Sequence, residues 1–277
     1  MPQVDLSVIG KKQGPEVHEY TWQDAALYAL AVGARASDLP YVFEDAPGGL
    51  KVLPSFAVVC ASRVFPPVGD VQWSLFLHGE QSLRLFNPFP PEGRLVQQSE
   101  VKAIHDKGKG ALYQVEISGG LEDGTPIYQG CWSIFYVGAG GFGGDPGPKS
   151  ESFPVPIDRP PDFAVTQRVA ENQAALYRLC SDRNPLHIDP AAARAGGFDR
   201  PILHGLCSFG FTTRVLVDAA LAGDVARLKE ISARFSSPVY PGDDLTVEGW
   251  QVGSRWLLRV STQNGVVMNN VQALVTP

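Results

Sequence analysis

Three side chains that can hold water or move a proton fall within six residues of one another: Asp182, Asn184 and His187, in the run SDRNPLHIDP that starts at Ser181. Pro185 stiffens this stretch and stops the preceding helix from continuing through it. Farther along, the run PILHG from Pro201 to Gly205 leads straight into a long apolar segment. A carboxylate, an imidazole and a helix start can therefore meet in one small volume. Asp182 and His187 together can hold one water, one member accepting a proton and the other donating one, which is what adding or removing water across a C=C bond requires. Asn184 can fix the orientation of that water or of the aspartate. Gly205 has no side chain to block approach, and its N–H at a helix start can polarise a carbonyl and stabilise an enolate-like oxygen.

The elements that must position these groups can be read from periodicity. Residues 21–33 predict a helix, with Thr21 as N-cap, Asp24 three positions on and Gly33 at the end. Residues 171–180 predict a second. Residues 205–220 predict a third, with Leu206, Phe209, Thr213, Leu216 and Ala220 on one face, as burial against a sheet demands. A faint internal repeat surrounds them. Phe86 and Phe235 each precede a Pro-containing turn, and each turn is followed by three strand-like runs: 95–104, 111–118 and 126–137, then 245–252, 255–262 and 266–275. Between the copies lies 138–161, where half of the residues are Gly or Pro, which reads as a linker. The expected division is thus 1–137, a linker at 138–161, and 162–277, in an α+β class with a helix lying across each antiparallel sheet. The two copies are expected to pack as an internal pseudo-dimer.

Composition narrows the function classes. The chain has 277 residues and a net charge of −6, with only 19% charged residues, so it lacks the basic field that draws nucleic acids or anionic membranes. No nucleic acid and no membrane are expected as partners. The uncharged stretch 124–144 carries Pro126, Gln129 and many glycines, and is no membrane span. Four cysteines, Cys60, Cys131, Cys180 and Cys207, are far apart and form no CxxC pair, which suggests a reducing, cytoplasmic setting. No signal peptide and no C-terminal peroxisomal tripeptide are read in the chain. The 29 glycines and 23 prolines are a surplus over usual composition that the linker and strand turns absorb.

At the level of motifs, LCSDRNPLHIDP from Leu179 followed by PILHGLCSFG from Pro201 resembles the signature of the (R)-specific 2-enoyl-CoA hydratases, the hydratase 2 or MaoC-like group. YALAVGA from Tyr28, VLPSFA from Val52, LHGEQ from Leu77, DKGKG from Asp106 and GGFGG from Gly140 extend the likeness over nearly the whole chain. The resemblance implies a tandem, or double, hotdog fold, each copy a helix wrapped by an antiparallel sheet. The second copy is then catalytic, and the first, with a reduced helix, accommodates the acyl chain. It implies Asp182 and His187 as the catalytic pair, Asn184 as their partner and Gly205 as the thioester-oxygen donor. His78, Gly79, Lys107 and Phe235 fall on positions that contact the CoA thioester in relatives, and Arg183, Pro185 and Leu186 lie between the catalytic residues as further substrate contacts. Asp182 is favoured as base, with His187 and the water delivering the C2 proton. One departure is Ser181, where the family usually has Gly. The implied reaction is hydration of a trans-2-enoyl-CoA to a (3R)-3-hydroxyacyl-CoA, with an acyl-CoA substrate, no cofactor and no metal; a homodimer is among the expected assemblies.

The same residues admit other readings. Asp182, His187, Asp189 and His204 lack the spacing of a metal motif. Cys180 near His187 reads as a buried structural thiol rather than a nucleophile. Lys107 in its hairpin is either an exposed turn lysine or a phosphate or pantetheine contact. GGFGG precedes no helix, so a dinucleotide-binding loop fails. Rival functions are a dehydratase acting on acyl carrier protein, a hotdog thioesterase and a non-catalytic acyl-CoA-binding module.

Overall fold

The structure, a computed structural model, describes residues 2–276. The first half contains β1 (Lys12–Tyr20), α1 (Trp22–Ala31), α2 (Leu39–Val42), α3 (Ala57–Ala61), β2 (Phe76–Leu85), β3 (Gly93–Asp106), β4 (Gly110–Leu121) and β5 (Pro126–Val137). The second contains β6 (Phe163–Arg168), α4 (Gln173–Cys180), α5 (Pro190–Ala195), α6 (Gly205–Ala220), β7 (Leu228–Phe235), β8 (Asp244–Val252), β9 (Arg255–Thr262) and β10 (Gly265–Val275). All ten strands form one antiparallel sheet in the order β1-β3-β4-β5-β2-β7-β10-β9-β8-β6. The order reads the same from either end once β1–β5 are exchanged for β6–β10. The repeat seen in the sequence is therefore a pseudo-twofold, and β2 against β7 is its seam.

At that seam Glu80 lies opposite Arg234 and Arg84 opposite Glu230, and both pairs close as ion pairs, Arg84 Nε to Glu230 at 2.9 Å. They are partly exposed, so each contributes little to stability and mainly fixes register. Stability comes from the inner face, where strand alternation sends Leu83, Leu95, Val101, Val115, Ile117, Ile231, Val247 and Val260 into one shared core.

The sheet wraps two unequal helical segments. In the second half α6 is sixteen residues long, and Phe209, Phe211, Val215, Leu216 and Val217 on it are buried. In the first half the equivalent segment is broken into a 3-10 turn at Pro54–Phe56, the five residues of α3, and another 3-10 turn at Ser62–Val64. Pro66 and Pro67 follow directly and forbid its continuation.

The halves are stitched together at the C-terminal end of α1. That helix starts with the capping box foreseen at Thr21 and Asp24, and its last carbonyls are taken by side chains from the other half. Gln173 Nε2 donates to Ala31 O at 2.6 Å, Cys207 Sγ to the same carbonyl at 3.2 Å, and Arg214 Nε to Val32 O at 3.1 Å. A buried guanidinium at the negative end of a helix dipole is favourable, and Asp218 pairs with it at 3.3 Å. Gly33, at φ +84°, lets the chain turn where the ring of Phe211 leaves no space for a Cβ.

Residues 138–161 contain no helix or strand, yet they are pinned as a strap. The Asp106 carboxylate accepts the amides of Gly108, Gly141 and Gly143 at 2.8–2.9 Å, which lowers its pKa. The glycine-rich loop thus cradles an anion belonging to the chain itself, not a nucleotide phosphate. Farther on, Phe153 N and Glu151 O both bond the side chain of Asn270 on β10, carrying the strap across to the second half.

Candidate active site

The proposed acid–base pair sits where α4 ends and α6 begins. Asn184 caps the 3-10 turn Pro185–His187 with its side-chain oxygen on Leu186 N at 3.0 Å, while its own backbone N–H donates to Asp182 Oδ1 at 2.9 Å. Asn184 therefore orients the aspartate through its backbone, its side-chain carbonyl being spent on the turn. Asp182 is left half-exposed, with Oδ2 3.9 Å from Nε2 of His187, which is buried. That gap is too long for a direct hydrogen bond and suits two groups sharing one water.

The tautomer of His187 follows from its other nitrogen. Nδ1 lies 2.9 Å from the carbonyl oxygen of Ile202, and a carbonyl only accepts, so Nδ1 carries the proton and the lone pair is on Nε2, facing Asp182. Burial lowers the pKa of this imidazole, against smaller opposing effects from Ile202 and Asp182. A neutral ring with its lone pair on Nε2 is a proton acceptor. In this tautomer both Asp182 and His187 Nε2 can accept a proton from a shared water.

His204 lies behind His187, the two rings stacked with centroids 3.7 Å apart. Its Nε2–H donates to the backbone carbonyl of Asp182 at 3.2 Å. Loss of water, then the neighbouring His187, pushes its pKa down to about 2. The ligand atoms of Asp182, His187 and His204 fall within 4.8 Å of one another. Each imidazole bonds a backbone carbonyl through one nitrogen, which leaves His187 Nε2 facing Asp182 and His204 Nδ1 buried.

Gly205 is the next residue and the first of α6, and among the described residues its amide has no protein acceptor. It is an open donor at the positive end of a sixteen-residue helix. A Cβ there would lie 3.3 Å from the ring of Phe235, so glycine keeps the approach clear. Phe235 in turn meets His78 edge-on, centroids 5.4 Å apart, and His78 lies over Trp132 at 5.1 Å. His78 and Gly79 occupy a bulge in β2, and the enclosed His78 ring, Nε2 on Glu80 O at 3.0 Å, has its pKa lowered to about 4 by loss of water.

The fold thus brings Asp182, Asn184, His187, Gly205, Phe235 and His78 into one contiguous group spanning both halves. The remaining sequence candidates lie at its margins. Leu186 packs against Gly196, Arg183 and Pro185 are exposed on the loop between α4 and α5, and Lys107 is exposed at the β3–β4 hairpin with its Nζ on the carbonyl of Pro146 in the strap. Ser181 has φ −164°, outside the left-handed region that favours glycine. Burial pushes the Cys180 thiol up to about 12, which suppresses a thiolate. Sequence reasoning left the His204 side chain unassigned, since its contacts depend on the loop folding back over the start of α6.

Comparison with known proteins agrees with this architecture half by half. Residues 18–138 match the MFE-2 hydratase 2 N-terminal domain, and residues 152–273 match the MaoC like domain. The chain is 36% identical to "Probable enoyl-CoA hydratase 2" of Dictyostelium discoideum over 98% of this chain and 96% of that one. It is 38% identical to "Enoyl-CoA hydratase ChsH3" of Mycobacterium tuberculosis over 97% and 98% respectively. A solved MaoC-like dehydratase from Phytophthora capsici superposes with a TM-score of 0.89 at 29% identity, covering 99% of this chain and 98% of that one. The chain belongs to the MaoC-like, hydratase 2 family of double-hotdog proteins.

Proposed function

We propose that the protein is a hydro-lyase that adds water to trans-2-enoyl-CoA thioesters to give (3R)-3-hydroxyacyl-CoA in fatty-acid or related acyl-CoA metabolism. The observation that carries this reading is the 3.9 Å gap between a neutral His187 Nε2 and the Asp182 carboxylate, on a loop bonded to His204, the residue that precedes the open amide at the start of α6. In the reaction, a water held by both groups attacks C3 as one of its protons passes to His187 Nε2. The π electrons move toward C1, and the thioester oxygen, now enolate-like, is held by the Gly205 N–H. The imidazolium, stabilised beside Asp182, then returns its proton to C2, so one water is added across the double bond and His187 ends neutral. Because a single imidazole takes and gives the proton, both new bonds form on the same face.

Residues 1–137 form the half that accommodates the acyl chain in this account, and 162–277 the catalytic half. His78, Gly79, Lys107, Arg183, Pro185, Leu186 and Phe235 line the thioester and CoA. The broken helix at 54–64 supports this division, since it occupies less of its sheet than α6 does. A reducing, cytoplasmic setting fits the four free cysteines, and no helix among the described residues is long and apolar enough to cross a membrane. A homodimer remains part of the proposal.

The test is spectroscopic. Crotonyl-CoA and decenoyl-CoA are expected to lose their conjugated thioester absorbance on incubation with the protein, with the (3R) product identified by chiral chromatography. No turnover across short, medium, long-chain and steroid side-chain enoyl-CoAs would overturn the reading. Release of free thiol instead would point to a thioesterase.

A further inference from the structure

His204 is 2% exposed and touches the acid–base pair at two points without facing the gap between them. Its Nε2–H bonds the Asp182 carbonyl at 3.2 Å, its ring stacks on His187 at 3.7 Å, and its far side rests on Tyr177 of α4 at 4.8 Å. Its Nδ1 is buried and, among the described residues, has no hydrogen-bond partner. A burial site left with an unpaired nitrogen costs free energy that an apolar ring of the same size would avoid. What the imidazole offers and a phenyl ring lacks is the Nε2–H, directed at the backbone of the residue that carries the carboxylate.

We propose that His204 is a positioning residue, a clamp at the start of α6 whose bond to the Asp182 carbonyl sets the catalytic loop and whose ring holds the His187 imidazole in place. Being the residue that precedes Gly205, it also ties the acid–base pair to the amide that meets the thioester oxygen, so that one rigid helix end sets both. The two contacts act on different properties. The hydrogen bond fixes where the carboxylate stands, and the stacked ring keeps water from the back of His187. The charged and titratable groups facing the two rings are Asp182 on the loop and Tyr177 and Arg178 from α4.

The proposal rests on the hydration reading for its kinetic arm, and its spectroscopic arm is independent of activity. The full chain is compared with His204→Phe, which keeps a ring and loses the donor, and His204→Gln, which keeps a donor near the Nε2 position and loses the ring. Kinetics with decenoyl-CoA and the NMR titration of the ring-labelled His187 imidazole are recorded for all three. For His204→Phe, kcat is expected to fall about 10-fold or more, with KM within about twofold and the His187 midpoint still low. For His204→Gln, kcat is expected to fall less than in His204→Phe, with the midpoint moved up toward the ordinary imidazole value of about 6.5 as water reaches the ring.

Unchanged kcat in His204→Phe would overturn the hydrogen-bond half of the clamp, and an unmoved midpoint in His204→Gln would overturn the stacking half. Equal losses in both variants, tracking melting temperature with midpoints unmoved, would reduce His204 to a structural residue. If the parent hydrates no enoyl-CoA, the functional reading fails, and the NMR arm still decides whether the stack controls His187.

Discussion

The two halves of this molecule share a sheet order, strand for strand, and differ in what the sheet encloses. The second half wraps sixteen residues of unbroken helix whose first amide is an open donor, with an Asp–His loop folded against its start. The first half wraps a segment cut short by prolines, with no Asp-x-Asn-Pro-x-His run anywhere before residue 182. The sheet is thus a scaffold indifferent to chemistry, and function follows from the helix start and the loop docked on it. In the proposed reading, losing the helix in one copy leaves room for the acyl chain, and keeping it in the other supplies a rigid donor.

The largest effect expected from breaking this asymmetry is at the pair itself. Asp182→Asn and His187→Gln should each lower kcat by about 10²–10⁴-fold, while circular dichroism and melting temperature stay near the parent, because Asp182 is half-exposed and the loop is held by its backbone. Gly205→Ala comes next. The added Cβ presses on Phe235, and a loss of about 10-fold in kcat/KM is expected, measured with the same enoyl-CoA.

A change in the first half should act on binding instead. Asp106→Asn weakens the cradle of glycine amides and with it the strap that holds Lys107, so KM for the CoA thioester should rise a few-fold with kcat unchanged. A matching fall in kcat would contradict the division of labour between the halves.

The smallest expected effect is on acid stability. His78, His187 and His204 are all held below the ordinary imidazole value, His78 to about 4 and His204 to about 2, chiefly by loss of water. As pH falls below about 6.5 the unfolded chain binds protons that the folded chain refuses, so stability is full above that value and drains on acidification. His204→Phe removes one of these protons. Its unfolding free energy, from urea titrations, should therefore fall less steeply between pH 6.5 and 4 than the parent's, by at most about 1.4 kcal/mol per pH unit.

Much of this architecture was legible in the sequence, for physical reasons that also explain the gaps. The capping box at Thr21, the apolar face of 205–220 and the six alternating strands after Phe86 and Phe235 are local signals, and each element formed where it was expected. β1, β2, β6 and β7 were not foreseen. β1 is largely exposed and shows no alternation, and β2 switches faces at the Gly79 bulge, which breaks the period. β6 has only six residues. At the site, Asp182, Asn184 and His187 were legible because they are neighbours in the chain. The protonation of His187 was not, because it is set by a carbonyl fifteen residues away, and the clamp by His204 exists only once the loop closes on α6.

The central claim is that one neutral imidazole, paired with one carboxylate, handles the proton on a single face of the double bond. Hydration of a trans-2-enoyl-CoA in D₂O, followed by NMR of the product, tests it directly. One deuterium is expected at C2, on the same face as the new C3 hydroxyl; a product with deuterium on the opposite face, or scrambled between both, would contradict a single-imidazole proton transfer.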